Sequence, residues 1–368
     1  MRGGAKAPPL SFFFYKGAVG TVGEAIKRRR GDLRSGLTGR ILDIGLYVVV
    51  IGFVLLLASR VMEHGHDYLL QILFFALANG AIYALIALGY TMVYGIIELI
   101  NFAHGDVFAF GAFLSASLLP VFGMTEGMTW GPLTIFQLLG VFLVTMIGCA
   151  ILNVGIERIA YRPLRHAPRL APLITAIGMS FFLEGVMFLW KGPSSIHYPD
   201  VLPDVSVDIL GARLGVKEMT VWITSIVLVV ALGLFIERSR LGKAMRATAQ
   251  DRDAAQLMGI DIDRTIAATF FIGAVLAGAG GAMYGLSYNT AVFDLGFSAG
   301  LVAFTAAVFG GIGNIYGAAI GGLVLGLIRT FWDGYFDSAW SDVVIFAILI
   351  MVLVFRPTGI LGMRVPEK

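Results

Sequence analysis

Apolar runs, each near the length of a membrane-crossing helix, follow one another along almost the whole chain. They cover residues 41–62, 69–97, 107–122, 133–159, 172–190, 221–236, 265–287, 299–328 and 343–355. A span needs roughly 20 mostly apolar residues. Hydrocarbon offers no partner to a bare backbone amide, so an apolar segment of this length crosses as a helix. The charge content agrees: 14% of residues are charged and 58% hydrophobic, where a soluble domain carries roughly 25% charged residues. There is too little polar surface to cover a water-soluble ball of 368 residues. The 47 glycines fit the same reading, because small residues let membrane helices approach closely. A disordered tail, a disulfide scaffold and an ordinary soluble enzyme are excluded, and the lone Cys149 allows no intrachain disulfide. The expected fold is an all-α polytopic membrane protein of about 9–10 membrane segments, some interrupted or half-helices.

Charge sorts the loops into two sets, since Lys and Arg favour the cytoplasmic side. Residues 1–40 hold nine Lys/Arg against two acids. They read as a disordered basic cytoplasmic tail, too long for a signal-peptide leader and too close to a span for a nucleic-acid arm. The loop at 161–169 carries Arg162, Arg165 and Arg169 with no acid. The loop at 238–264 carries six Lys/Arg, and the C-terminal tail carries Arg356, Arg364 and Lys368. The opposite set is acidic or balanced: Glu63 with Asp67, then Glu126, then Asp333, Asp337 and Asp342. The loop at 191–219, with three bases and four acids, joins that set. The two sets alternate if 299–328 crosses an even number of times or enters and returns. Both termini are then cytoplasmic. The domain reading is a tail at 1–40, an additional N-terminal span and outer loop at 41–67, and a transmembrane domain at 68–362.

Two segments look interrupted. The first, 69–119, is broken by Glu98, Asn101, His104, Gly105 and Asp106; the second, 299–328, by Gly310, Gly311, Gly313, Asn314 and Gly317. Gly-interrupted hydrophobic segments in two halves of a chain often mark a transport pathway. Irregular backbone at membrane depth survives only inside protein or along a watery cavity. A plain turn between full spans serves the first break equally well. The second segment is short for two full spans, which favours a half-helix.

Catalytic and metal chemistry find little support. The five histidines are His64, His66, His104, His166 and His197, and no His-Glu-x-x-His, Walker A or Gly-x-Ser-x-Gly pattern occurs. His64, His66 and Asp67 lack further ligands at useful spacing, so no metal site or cofactor is expected. An intramembrane protease would have to use His104 and Asp106, which lack a nucleophile. Asn101 and His104 are candidates for lining a polar substrate path, or for capping the helix that follows. Asp106 suits a helix N-terminus, where the dipole favours an acid.

The loop at 238–264 contains residues 243–258, strong helix formers that predict one helix stopped by Gly259. Within it stands Asp253-Ala254-Ala255-x-x-x-Gly259. Two alanines allow close approach, the glycine turns the chain, and flanking bases give polar contacts. This pattern resembles the coupling motif of ABC importer permeases, where a short helix docks on the ATPase.

Further blocks, in order, resemble the H-type permease of branched-chain amino acid ABC importers. They are Tyr90-Thr91-Met92-Val93-Tyr94-Gly95, Ile100-Asn101-Phe102-Ala103-His104-Gly105, Tyr161-Arg162-Pro163-Leu164-Arg165 and Ala176-Ile177-Gly178-Met179-Ser180. Ala303-Phe304-Thr305-Ala306-Ala307-Val308 with Gly310-Gly311-Ile312-Gly313, and Arg356-Pro357-Thr358-Gly359-Ile360-Leu361-Gly362, complete the series. The resemblance covers most of 68–362. It implies a bacterial inner-membrane transport subunit paired with a second homologous permease, two cytoplasmic ATPases and a periplasmic substrate-binding protein. It also implies ATPase coupling through Asp253, Ala254, Ala255 and Gly259. Urea and short-chain amide permeases are related, and remain an alternative for substrate. Two departures stand out: residues 1–67 have no counterpart in shorter members, and Asp253 replaces the usual Glu. An ion-coupled secondary transporter is the rival from another class. It would need intramembrane carboxylates, and only Glu98, Asp106, Glu184 and Asp294 come near that depth.

Overall fold

The computed structural model of the protein describes residues 59–63, 65–165, 167–168, 170–355 and 359–362. The expected tail at 1–40, most of the span at 41–62, His64, His166, Arg169, residues 356–358, Arg364 and Lys368 lie outside the described residues. The chain divides into two units, Met1–Gly65 and His66–Lys368. The described part of the first is a helical turn at 59–63, with an exposed Arg60–Glu63 ion pair at 3.0 Å.

The second unit is helical almost throughout. Its helices are α1 (His66–Ile97), α2 (Ala103–Val121), α3 (Pro132–Ile156), α4 (Leu170–Lys191) and α5 (Val216–Arg238). Then come the short α6 (Arg240–Gln250) and α7 (Arg252–Leu257), followed by α8 (Ile262–Tyr288), α9 (Leu295–Gly310), α10 (Ile315–Tyr335) and α11 (Ser341–Phe355). Seven of these are long and apolar enough to cross a membrane: α1 to α5, α8 and α10; α9 and α11 are shorter apolar helices. The protein is therefore an all-α polytopic membrane protein, as its apolar runs predict.

Local chemistry sets the helix ends. Pro132 opens α3 at a position that needs no amide donor. Asp261 caps α8, its side chain accepting from the Arg264 amide at 3.0 Å. The same helix ends on Asn289, left-handed at φ 53°. Asn314 caps α10 through the Gly317 amide at 3.1 Å.

α1, α2, α8 and α9 form the buried centre. The long helices α3, α4 and α5 bury one stripe and leave Phe136, Ile174, Phe181 and Ile223 exposed, as a hydrocarbon-facing surface allows. Glycine makes a close crossing of α1 and α10 possible. Gly80 and Ala84 of α1 meet Gly322 and Gly326 of α10, and a Cβ on Gly326 would stand 2.1 Å from the Gly80 Cα. Lipid tails give helices no hydrophobic reason to associate, so such small-residue contacts supply the packing.

At the end carrying the acidic loops, β1 (Ile196–His197) pairs antiparallel with β4 (Thr290–Ala291). β2 (Ser206–Ile209) and β3 (Ala212–Gly215) form a hairpin. Its two-residue turn, Leu210-Gly211, has φ of 51° and 89°, the left-handed pair a tight hairpin favours.

Both expected interruptions are real breaks between helices, with one correction. The first lies at residues 98–102, so His104, Gly105 and Asp106 fall inside the first turn of α2 rather than in the break. Left-handed Glu98 (φ 58°) ends α1, and Asp106 sits where the α2 dipole favours an acid. The second break, at 311–314, separates a 16-residue α9 from a 21-residue α10.

Candidate functional site

The basic end of the bundle is organised around the loop between α5 and α8. Ser239 caps α6 by accepting from the Gly242 amide at 2.8 Å. The expected single helix at 243–258 is split at Asp251, a correction with a local cause. Asp251 adopts extended backbone, and its side chain accepts from the Ala254 amide at 3.0 Å. An aspartate that caps the next turn competes with continuing the previous helix. α7 follows, with Asp253 in its first turn and Met258 as its C-cap. Gly259, at φ 85°, then turns the chain toward Asp261 and α8. Ala255 is buried, whereas Asp253, Ala254 and Gly259 are exposed. Leu257 and Met258 are 88% and 84% exposed. This apolar pair fills two of the three unspecified positions of the motif; its sequence signal is two large apolar residues directly before the glycine of a polar helix.

α7 is tied back to the transmembrane body. Arg252 donates to the Ile96 carbonyl at 2.8 Å. The last turn of α1 has no basic residue of its own, so Arg252 supplies the cation that a helix C-terminus attracts. Between them lies a groove of about 340 Å³, lined among others by Ile96, Glu98, Arg165, Pro172, Thr248 and Arg252.

A second tie runs through the end of α3. There the helix widens into a π-helical turn, Glu157–Tyr161, followed by a 3-10 turn, Arg162–Leu164. π-turns are rare and concentrate at functional sites. The Glu157 carboxylate is buried and paired with Arg165. Arg165 also pairs with Asp263 in the first turn of α8, and Arg162 reaches the same carboxylate. A buried charge left without such a partner would be costly. The Tyr161 ring packs on Phe270 with centroids 5.5 Å apart, and its hydroxyl donates to Asn101 Oδ1 at 2.7 Å.

Asn101 and His104 lie together, the His104 amide donating to the Asn101 carbonyl at 3.1 Å. Both side chains are buried inside the chain. Tyr90 stands edge-on to the His104 ring at 4.9 Å. Asn101 Nδ2 and both His104 ring nitrogens have no well-aligned hydrogen-bond partner among the described residues. Phe102 occupies the N-cap of α2, and no side chain caps it. Asp106 receives a hydrogen bond from Ser180 on α4. Among the described residues no group of three or more His, Cys, Asp or Glu could hold a metal ion.

At the opposite end, His197 bonds to Glu126 across two loops. That bond holds the Glu126 carboxyl below its ordinary range, helped by the Asp200 amide. The acids Asp333 and Asp342, grouped without a base by the sequence reading, both face Arg329, at 4.0 and 3.1 Å. Arg329 lies one residue past the apolar run at 299–328, on α10, which continues to Tyr335.

These features define a multi-pass helical membrane protein with a compact polar segment at one end. The chain belongs to the family described as branched-chain amino acid transport system / permease component, whose model matches residues 72–353. It is 44% identical over 306 residues to the high-affinity branched-chain amino acid transport system permease protein BraD of Pseudomonas aeruginosa, covering 81% of this chain and 97% of that one. It is 42% identical over 305 residues to the high-affinity branched-chain amino acid transport system permease protein LivH of Escherichia coli K12, covering 82% and 98%. The probable branched-chain amino acid transport permease protein LivH of Methanocaldococcus jannaschii is 26% identical over 294 residues, covering 76% and 88%. No solved structure matches the chain at a significant level.

Proposed function

We propose that this chain is the permease subunit of an ATP-driven importer of branched-chain amino acids in a bacterial inner membrane. It pairs with a second, homologous permease. Two cytoplasmic ATPases supply the energy, and a periplasmic binding protein delivers the substrate. The basic loops at 161–169 and 238–264 and both termini are cytoplasmic, in keeping with the preference of Lys and Arg for that side. The substrate follows from the names of the relatives, which favour branched-chain amino acids over urea or short amides.

One observation carries the coupling role: α7 stands at the basic end with Leu257 and Met258 almost fully exposed beside the Gly259 turn. Exposed large apolar residues on a short polar helix suit a cleft on a partner protein. Asp253, Ala254, Ala255 and Gly259 shape that helix and its exit. Asn101 and His104 are the polar groups proposed to meet the zwitterionic end of the substrate. The test is leucine uptake into proteoliposomes holding the complete importer. Gly259→Pro and Ala255→Arg are expected to abolish ATP-dependent uptake and to loosen the ATPases. Uptake and assembly unchanged in both variants would overturn the coupling role.

A further inference from the structure

The two ties described above converge on one place. Arg252 grips the Ile96 carbonyl, the last turn before the break at 98–102. Tyr161 grips Asn101, inside the break, whose carbonyl accepts from the His104 amide in the first turn of α2. Both ties lead back to the segment that carries α7. Arg252 is the first residue of α7. Tyr161 belongs to the π-helical turn whose Glu157 is held by Arg165, and Arg165 is held by Asp263, two residues past the Asp261 cap that follows Gly259. The break itself contains Glu98 in a left-handed conformation. A non-glycine residue costs about 1 kcal/mol or more there, and such strain collects where a chain must move.

We infer that residues 98–102 form a hinge driven from α7 by two arms, Arg252 to Ile96 and Tyr161 to Asn101. The inference rests on the coupling role of α7 and goes beyond it by naming how displacement reaches the membrane. When α7 shifts, Arg252 carries the end of α1, while Asp263, Arg165 and the π-helical turn carry Tyr161 and so the start of α2. The two arms approach the break from different elements, so unequal displacement opens or closes the angle between α1 and α2. The groove of about 340 Å³ beneath the break provides the room. α2 carries His104, and the hinge carries Asn101, so the moving parts are those proposed to meet substrate. Tyr161 and Arg252 are positioning residues: they act through the hinge.

The experiment uses the complete importer in proteoliposomes, measuring [3H]leucine uptake and ATP hydrolysis on the same samples. Tyr161→Phe keeps the ring against Phe270 and removes only the hydroxyl. It is expected to lower leucine delivered per ATP about five-fold, the scale of one lost hydrogen bond, with ATP hydrolysis and subunit assembly retained. Arg252→Gln, which releases the other arm from the Ile96 carbonyl, should lower the ratio as well. A wild-type leucine-to-ATP ratio in Tyr161→Phe or in Arg252→Gln would overturn the hinge while leaving the coupling role standing. Failure of the wild-type importer to require ATP would instead sink the coupling role itself. A second measurement does not depend on transport. Spin labels at Leu99→Cys and Gln250→Cys, in a Cys149→Ala background, report the width of the groove. Their separation should change between nucleotide-free and vanadate-trapped importer; an unchanged separation overturns the hinge.

Discussion

A methyl group on Gly89 would stand 2.1 Å from Nε2 of His104. The glycine on α1 is therefore what allows the Nε2–Cε1 tip of an imidazole from α2 to approach the helix so closely, with Tyr90 in edge contact with the ring. Gly89→Ala must push the ring out of place. Overpacking of a filled core costs typically about 1–3 kcal/mol. We expect a lower Tm for the purified protein in detergent and a loss of leucine uptake. Gly89→Ala combined with His104→Ala should recover most of the stability, because the truncated ring leaves space for the methyl group. Wild-type Tm in the single variant would show that the ring is free to move.

The apolar end of α7 separates docking from folding. Leu257 and Met258 are exposed, and exposed positions usually tolerate substitution within about 0.5 kcal/mol. Leu257→Asp with Met258→Asp is expected to leave the Tm of the isolated chain unchanged. The same pair should abolish co-purification of the ATPases, since a charge cannot enter an apolar cleft unpaired. ATPases retained by the double variant would place their docking elsewhere.

The spans were legible in the sequence because a bilayer imposes one length and one polarity on each of them. The end of α1 at Ile97 was legible as well, and the splitting of the loop helix was not. The split depends on a single residue, Asp251, choosing to cap the next turn, and propensity is a sum over a window that hides such a choice. Asp253, Ala255 and Gly259 could be named from their spacing. Leu257 and Met258 could not be distinguished from buried residues, because exposure of an apolar side chain is a property of the assembled fold. The Tyr161–Asn101 bond joins residues 60 apart in the chain, and no local pattern announces it. Arg329 follows the run at 299–328 by one residue, and its pairing with Asp342 became visible only once α10 was seen to continue past it.

Acidity should loosen the loops opposite α7. The Glu126 carboxyl is held below its ordinary range by His197 and the Asp200 amide. A depressed folded-state pKa gives stability that is present above the unfolded value and is lost as pH falls through the folded one. The tie between the two loops is thus intact at neutral pH and released in acid. His197→Ala is expected to return the Glu126 titration upward, toward an ordinary glutamate. Carbon-13 NMR of labelled glutamate carboxyls in micelles reads this directly, and an unmoved titration would mean that His197 is not the cause.

Two glycines on membrane helices should respond to the same substitution in opposite ways. At Gly326 a Cβ would stand 2.1 Å from the Gly80 Cα, inside the close crossing of α1 and α10. At Gly178 on α4 nothing lies within 4 Å. Gly326→Ala must part α1 from α10, and with no hydrophobic force to draw them back the lost contacts are not replaced. Its Tm should fall. Gly178→Ala meets open space in the isolated chain and gains the helix preference of alanine over glycine, up to about 1 kcal/mol. Its Tm should hold or rise. The contrast can also be read in the assembled importer. If Gly178→Ala is neutral in the isolated chain but weakens the complex, the bare face of α4 is covered there by another helix. Equal Tm losses in the isolated chain would contradict the packing described for both helices.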